Sequence, residues 1–180
     1  MENFDKFSNN LLEEAKRFFE KARAESTISS KDAFLHASLL LAISSLEAYV
    51  NGIADDFKDA DSLTLHEKGF LLEKKISLEN GKFILKPILK MSRLIERIEF
   101  LFKKFDSAKL DKTSTWWGNL KIGISLRNSL VHPKEFTQIS ETQIKSTLFA
   151  VIECVNNLFL AIYRSKLPSK SMGIDSKLMF

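Results

Sequence analysis

The amino-acid sequence predicts an all-α fold, a helical bundle of five or six helices with one small β-hairpin inserted. Six Gly and three Pro in 180 residues leave long stretches free of the two residues that most often interrupt helices. Apolar residues recur three and four positions apart through most of the chain, which is the spacing of one helix face. The pair Asn80-Gly81 interrupts this pattern and is the sequence signal for a tight hairpin turn.

The composition is that of a globular protein. Hydrophobic residues make up 44% and charged residues 28% of the chain, which excludes a disordered protein. The formal charge of +4 permits a phosphate-bearing partner without demanding one. Cys154 is the only cysteine, so it offers no internal disulfide and no cysteine-based metal cluster. We expect one domain over residues 1–165, a loosely ordered tail over residues 166–180, and no metal or other cofactor.

No segment has the features of a signal peptide or a membrane span. The first ten residues carry acidic and polar side chains and no apolar core segment. The longest uncharged run, residues 33–46, is too short to cross a bilayer. We therefore expect a cytoplasmic protein with no membrane partner.

The first two helices are predicted over residues 3–25 and 31–58. The first is amphipathic, and the second is apolar on more than one side, which indicates the central helix of a bundle. Within the second helix, Glu47 and Asn51 lie one turn apart on one face. They mark either an exposed edge of the helix or one side of a polar cleft.

The middle of the chain carries the hairpin. A short helix is predicted over residues 65–75, followed by two short strands that meet at Asn80-Gly81. A two-stranded hairpin is marginal alone, so it must pack on the bundle. Pro87 suits the first turn of a helix, and the next helix is therefore predicted from there to about Asp106.

Two helices follow a polar linker over residues 107–115. The first begins near Ser114 and has Trp117, Leu120, Ile124 and Val131 on its predicted buried side. The last is predicted over residues 141–164, where apolar residues alternate at spacings of four and three, as in helix bundles.

A polar motif ends the first of these two helices, between Ser125 and Pro133. On an ideal helix Asn128 and His132 share one side, and Arg127 points about 140° away from His132. Pro133 disfavours the helical conformation of the residue before it. His132 is therefore predicted to be the last helical residue or to lie just past the helix.

The three polar residues of this motif could cleave a phosphodiester. Arg127 offers a planar fork of donors that fits phosphate oxygens. His132 could take a proton from a ribose 2′-hydroxyl or give one to the leaving oxygen, and Asn128 could orient the imidazole or bind phosphate. The same three residues at a helix end could instead cap its last carbonyls or pair with surface acids.

The segment Arg127-Asn128-Ser-Leu-Val-His132 resembles the signature of the HEPN (higher eukaryote and prokaryote nucleotide-binding) superfamily. In that signature an Arg precedes a His by four to six intervening residues, often with Asn directly after the Arg. Residues 45–51, which include Glu47, resemble the Glu-bearing segment of the second helix in many of these domains. The resemblance implies a HEPN-like bundle from about residue 10 to residue 165.

The resemblance also implies a function. Domains of this type are commonly metal-independent endoribonucleases that act as toxins of toxin–antitoxin pairs or as antiviral defence effectors. A homodimer is implied, with Arg127 and His132 of both copies facing one another across a composite cleft that binds RNA. Asn128, Glu47 and Asn51 would support the site, and an antitoxin protein would be a further partner.

The alternative is a HEPN-like module without catalysis, used for dimerisation or for protein or nucleotide binding. It predicts that Arg127 forms an internal ion pair and that His132 is packed. Other candidates are weaker: His36 is interpreted as a core or edge residue and His66 as solvated, while Trp117 fits the core and Trp116 could stack a base. A basic rim for RNA could be formed by Lys74, Lys75, Lys103, Lys104, Lys109, Lys112, Lys121 and Lys134.

Overall fold

The computed structural model describes residues 2–105, 110–167 and 173–180. Within these ranges the protein is a bundle of six helices with one antiparallel hairpin, which confirms the predicted all-α class with an inserted hairpin. The predicted helix end near Asp106, Lys109 of the predicted basic rim, and residues 168–172 of the tail lie outside the described residues. In chain order the elements are α1 (Glu2–Ala24), α2 (Ile28–Asp56), α3 (Leu65–Leu71), β1 (Lys74–Glu79), β2 (Lys82–Leu89), α4 (Leu94–Phe105), α5 (Thr115–Val131) and α6 (Glu141–Tyr163).

Helices α1 and α2 form the most extensive helix pair of the bundle. Two buried serines of α2 let their backbones approach closely: Ser38 Oγ donates to the carbonyl oxygen of Ala15 at 2.8 Å, and Ser45 Oγ donates to that of Ser8 at 2.7 Å. Both hydroxyls are thereby satisfied in the interior, which removes the cost of burying them. The sequence correctly predicts α2 as a central helix.

Helix α6 is the second central helix and packs against α1, α2, α4 and α5. Its stripe of Leu148, Val151 and Val155 is fully buried. By length and composition alone, both α2 and α6 could cross a membrane, with a mean hydropathy of 1.5 in their most apolar windows. Of each window, 56% is buried inside the bundle, and core helices of soluble proteins pass the same test.

The hairpin turns at Asn80-Gly81 as predicted. Asn80 has φ +49° and Gly81 has φ +74°, which are the positive values that a type I′ turn needs. Both strands pack against α3, while Leu78 and Phe83 of the hairpin stay more than half exposed. The hairpin is thus attached to the bundle through α3.

The prediction that Pro87 opens a helix is wrong. Pro87 lies in β2, and α4 begins only at Leu94. The strand pairing shifts between Lys74 and Ile76, so that β2 carries extra residues at this point. A bulge in a strand tolerates Pro, because its missing N–H is not needed for the ladder. The short helix predicted over residues 65–75 ends at Leu71, because the chain enters β1 at Lys74.

The last eight residues, 173–180, pack along α1. Ser176 donates its backbone N–H to the Glu20 carboxylate at 2.7 Å and its hydroxyl to the carbonyl oxygen of Glu13 at 2.8 Å. The backbone N–H of Lys177 donates to the Glu13 carboxylate at 2.7 Å, and that carboxylate also pairs with the buried Lys16. These contacts tie Ser176 and Lys177 to buried and partly buried acceptors of α1, while the loose order expected of residues 166–180 stays a prediction.

Candidate active site

The motif from Arg127 to His132 lies at the end of α5. Trp117 and Leu120 anchor the helix in the core, and the helix ends at Val131. His132 has φ −124° and ψ 65°, yet its backbone N–H still donates to the carbonyl oxygen of Asn128 at 2.9 Å. His132 therefore lies just past the helix, as Pro133 predicts. Its side chain is exposed, not packed.

The motif opens onto a cleft of about 660 Å³. Helices α4 and α5 both pack on α2 or α6, and the cleft lies where the start of α4 faces the end of α5. Arg127, Asn128 and His132 line it, together with Glu47 from α2. The other lining residues are Met91, Ser92, Arg93, Leu94, Ile95, Ile124, Ser125, Ser129, Lys134, Glu135 and Thr137.

Arg127 and Glu47 form an ion pair in the cleft. Arg127 Nη2 donates to Glu47 Oε1, and the two side chains are 21% and 40% exposed. Glu47 thus lines a polar cleft, with part of its side chain still exposed to solvent. A guanidinium has further N–H donors beyond the one engaged here. Arg127 is therefore held in place and still able to bind an anion.

Asn51 does not line the cleft. Its Oδ1 accepts a hydrogen bond at 2.8 Å from Nη2 of Arg97, a side chain that is 97% buried at the start of α4. Arg97 also donates to Glu73 at 3.1 Å and to the carbonyl oxygen of Leu71 at 2.7 Å. Burial lowers the pKa of Arg97, and the charges of Glu73 and Glu47 oppose that shift. Asn51 thus fixes Arg97 and does not touch the motif, which differs from its predicted role at the site.

Sequence reasoning missed the residues that the connection between β2 and α4 brings to the cleft. Met91, Ser92 and Arg93 line it, although the predicted helix from Pro87 would have placed them in mid-helix. Arg97 was missed as well, because its partners, Asn51 on the one hand and Leu71 and Glu73 on the other, come from two distant parts of the chain. The only signal in the sequence is that the charged Arg97 occupies a position of the apolar repeat of α4.

The weaker candidates fall outside the cleft or are engaged elsewhere. His36 is half-buried, and His66 is exposed with its ring 6.0 Å from that of Phe83. Trp117 is in the core as predicted, and Trp116 packs against Phe102. Of the predicted basic rim, Lys134 lines the cleft and Lys121 lines a smaller adjoining cavity, while Lys104 and Lys112 form ion pairs with Glu67 and Glu99.

The described residues outside the cleft offer neither a reactive cysteine nor a group of side chains that could hold a metal ion. Cys154 is fully buried, and burial raises the pKa of its thiol, so the reactive thiolate is disfavoured. Among the residues that the structure describes, no three His, Cys, Asp or Glu side chains come together to hold a metal ion. The cleft at the end of α5 is therefore the best candidate site.

A scan against protein-family models and searches of curated proteins and of solved structures found no significant match to this chain. The resemblance to the HEPN superfamily accordingly rests on Arg127, Asn128 and His132 and on the segment around Glu47 alone.

Proposed function

We propose that this chain is a metal-independent endoribonuclease of the HEPN type that cleaves RNA by transesterification. One observation carries the proposal: the exposed imidazole of His132 and the guanidinium of Arg127 line the same open cleft, and Glu47 holds that guanidinium from a second helix. A proton-transfer group and a fixed cation in one cleft are what phosphodiester cleavage without a metal requires.

The proposed reaction uses the ribose of the substrate as nucleophile. His132 takes the proton of the 2′-hydroxyl while the 2′-oxygen forms a bond to the adjacent phosphorus. The bond from phosphorus to the 5′-oxygen breaks, and that oxygen takes up a proton from an acid. Arg127 binds the phosphate oxygens and stabilises the charge that develops on them. The products are a 2′,3′-cyclic phosphate and a 5′-hydroxyl.

We also propose that the working form is a homodimer. Each chain offers one His132 at the cleft, whereas the reaction needs both a base and an acid; a second copy facing the first would supply the other. Val131 and Phe136 lie on either side of His132 in the chain and are 46% and 91% exposed. Such apolar side chains favour burial against another surface. A cytoplasmic toxin with an antitoxin partner, or an antiviral effector, is the cellular role we propose.

Cleavage of single-stranded RNA in the presence of a metal chelator tests this function. We expect the protein to generate ends that mass spectrometry identifies as 2′,3′-cyclic phosphates. H132A and R127A should each lower the rate by about 10²-fold or more, the usual contribution of one acid–base or charge-stabilising group. H66A is the matched control, because His66 is exposed but lies outside the cleft. Folded wild-type protein that cuts no RNA would overturn the proposal.

The ion pair of Arg127 favours a second candidate, the HEPN-like module without catalysis, which predicts that pairing. The exposure of His132 speaks against it, since that candidate predicts a packed histidine. Sedimentation of the wild-type protein and titration with nucleotides separate the two. Dimerisation or nucleotide binding without RNA cleavage would favour the module.

A further inference from the structure

The connection between β2 and α4 forms one side of the cleft, contains no residue of the motif and has no role assigned so far. Three of its four residues, 91–93, line the cleft, and Leu94 and Ile95 at the start of α4 continue the same side. The side chain of Arg93 is 84% exposed, against 21% for Arg127. Arg93 is therefore the more accessible of these two cations for a ligand that enters from solvent.

The backbone of this connection is fixed from the start of the hairpin. Glu73 accepts a hydrogen bond from the backbone N–H of Ser92 at 2.8 Å through its carboxylate and one from Lys90 at 2.7 Å through its carbonyl oxygen. The other oxygen of the same carboxylate accepts from the buried Arg97. Arg93 thus projects from a preorganised segment, which reduces the entropy lost when it binds a ligand.

The charge of Arg93 is available at little cost. Its partner is Glu96, at 3.6 Å, and both side chains are well exposed. Exposed pairs of this kind contribute little to stability, so a phosphate can replace the carboxylate. Of the two acidic residues that line the cleft, Glu47 is already engaged by Arg127, and Glu135 lies on the segment after α5. Lys134, on the segment after α5, adds a second exposed cation to the cleft.

We propose that Arg93 binds a backbone phosphate of single-stranded RNA next to the phosphate that is cleaved at Arg127. The inference rests on the proposed ribonuclease function and specifies its substrate. Arg93 and Arg127 line the same cleft of about 660 Å³, a size that suits a short unpaired segment whose neighbouring phosphates meet both cations. A substrate must then carry at least two phosphates, and a dinucleotide lacks the one that Arg93 holds.

The test compares R93A with wild-type protein on two ligands. Binding of a 2′-O-methyl RNA oligonucleotide, which has no nucleophilic hydroxyl, is measured by fluorescence anisotropy at several salt concentrations. We expect R93A to weaken binding about tenfold and to reduce the slope of log Kd against log salt by about 0.7. Cleavage of an unmodified oligonucleotide should lose about tenfold in kcat/KM through KM, while cleavage of a dinucleotide should be unchanged.

Two further variants sharpen the result. R93K keeps the charge but not the fork of donors, and it should retain the salt slope with intermediate affinity. K82A removes an exposed cation at the opposite end of β2 and outside the cleft, and it should match wild type. A loss of the same size in K82A would show general charge attraction and would overturn the assignment to Arg93.

The outcomes distinguish this inference from the proposed function. Cleavage by wild type with unchanged binding and KM in R93A would overturn the role of Arg93 and leave the ribonuclease in place. Equal losses on the dinucleotide and the oligonucleotide would also overturn it, since the effect would then lie at the cleaved phosphate. Absence of cleavage with weaker binding in R93A would overturn the ribonuclease and support a nucleic-acid site at Arg93. Absence of RNA binding by wild type would overturn both.

Discussion

Glu47 and Arg127 stand 80 residues apart in the chain and form an ion pair that lines the cleft. Both side chains retain exposure, so solvent weakens their attraction, and the pair contributes less to stability than to geometry. Glu47 fixes the guanidinium near His132, and it also places a negative charge where a phosphate would bind. The two effects act on different kinetic parameters.

Removal of the Glu47 charge should separate those parameters. In E47Q we expect kcat for RNA cleavage to fall about tenfold, because the neutral amide oxygen accepts from the guanidinium more weakly and holds it less firmly in position. KM should stay the same or fall, because the carboxylate no longer repels phosphate. The free energy of unfolding should change by less than about 1 kcal/mol. Steady-state cleavage and urea denaturation measure these quantities.

E135Q is the matched control for E47Q. Glu135 also lines the cleft, and its side chain is exposed. Because it does not hold Arg127, its substitution should leave kcat within about twofold of wild type. An E47Q variant with unchanged kcat would contradict the positioning role of Glu47.

Individual site residues differ in how far the sequence predicts them. Pro133 acts on its direct neighbour, and the position of His132 follows from that local effect. Glu47 follows from spacing along one helix face, though its partner does not. Arg93 could not be predicted, because a bulge in β2 moves Pro87 out of the helix start where local preference would put it. The sequence predicts effects between neighbouring residues, whereas it does not predict contacts between residues that are far apart in the chain.

Among the elements, α5 and α6 meet at a glycine. A Cβ on Gly123 would lie 2.4 Å from Cγ2 and 2.7 Å from Oγ1 of Thr147. Thr147 is short and β-branched, and its hydroxyl donates to the carbonyl oxygen of Gln143 at 2.8 Å, so it has little room to move. The close approach of α5 to α6 therefore depends on the missing side chain at position 123.

We expect G123A to lower the free energy of unfolding by about 1–3 kcal/mol, the usual cost of overpacking. Gly118 on the same helix has no atom within 4 Å of an added Cβ. G118A should therefore stabilise the protein by up to about 1 kcal/mol, through helix propensity alone. Urea denaturation measures both variants. Partial recovery in the double variant G123A/T147A would support the clash, and equal effects at the two glycines would refute it.

Helix α3 is held by a capping box that doubles as an ion pair. The Glu67 carboxylate accepts hydrogen bonds from Lys104 Nζ at 2.9 Å and from the backbone N–H of Thr64 at 2.7 Å. These contacts lower the pKa of Glu67 from its ordinary value of 4.5 to about 2, and the hydrogen bond from Lys104 has the largest effect. The carboxylate thus stays ionised in the folded protein at a pH where the unfolded chain binds a proton.

The sign of the pH dependence follows from this difference. The stability that the Glu67 charge contributes is fully present above pH 4.5 and is lost as the pH falls toward about 2. E67Q should therefore be less stable than wild type near neutral pH, and the gap should close across this range. Urea denaturation at a series of pH values tests this. K104M should show a similarly reduced pH dependence, and an E67Q gap that stays constant down to pH 2 would contradict the assignment.

At the level of the whole molecule, helix periodicity predicts the bundle and Asn80-Gly81 predicts the hairpin, because both signals are local. The attachment of the hairpin to the bundle is not local. Arg97 on α4 joins Asn51 of α2, the end of α3 at Leu71, and Glu73, which precedes β1. No periodic pattern can report such a junction, since its members share neither an element nor a spacing.

Among the cations near the cleft, Arg97 should therefore contribute most to the stability of the fold. R97M removes the charge and leaves Glu73, Asn51 and the carbonyl of Leu71 without this donor. We expect the free energy of unfolding to fall by about 3–5 kcal/mol, the usual cost of breaking a buried pair. R93M, four residues away on an exposed side chain, should change it by less than about 0.5 kcal/mol.

Hydrogen exchange shows whether this loss is local to the junction. Because Glu73 holds both Arg97 and the backbone of Ser92, R97M should raise exchange in the hairpin and in residues 91–95. Exchange in the centres of α2 and α6 should rise only as far as the lower global stability requires. A uniform increase across all helices would show that Arg97 stabilises the bundle generally, and it would refute a specific junction between the hairpin and the cleft.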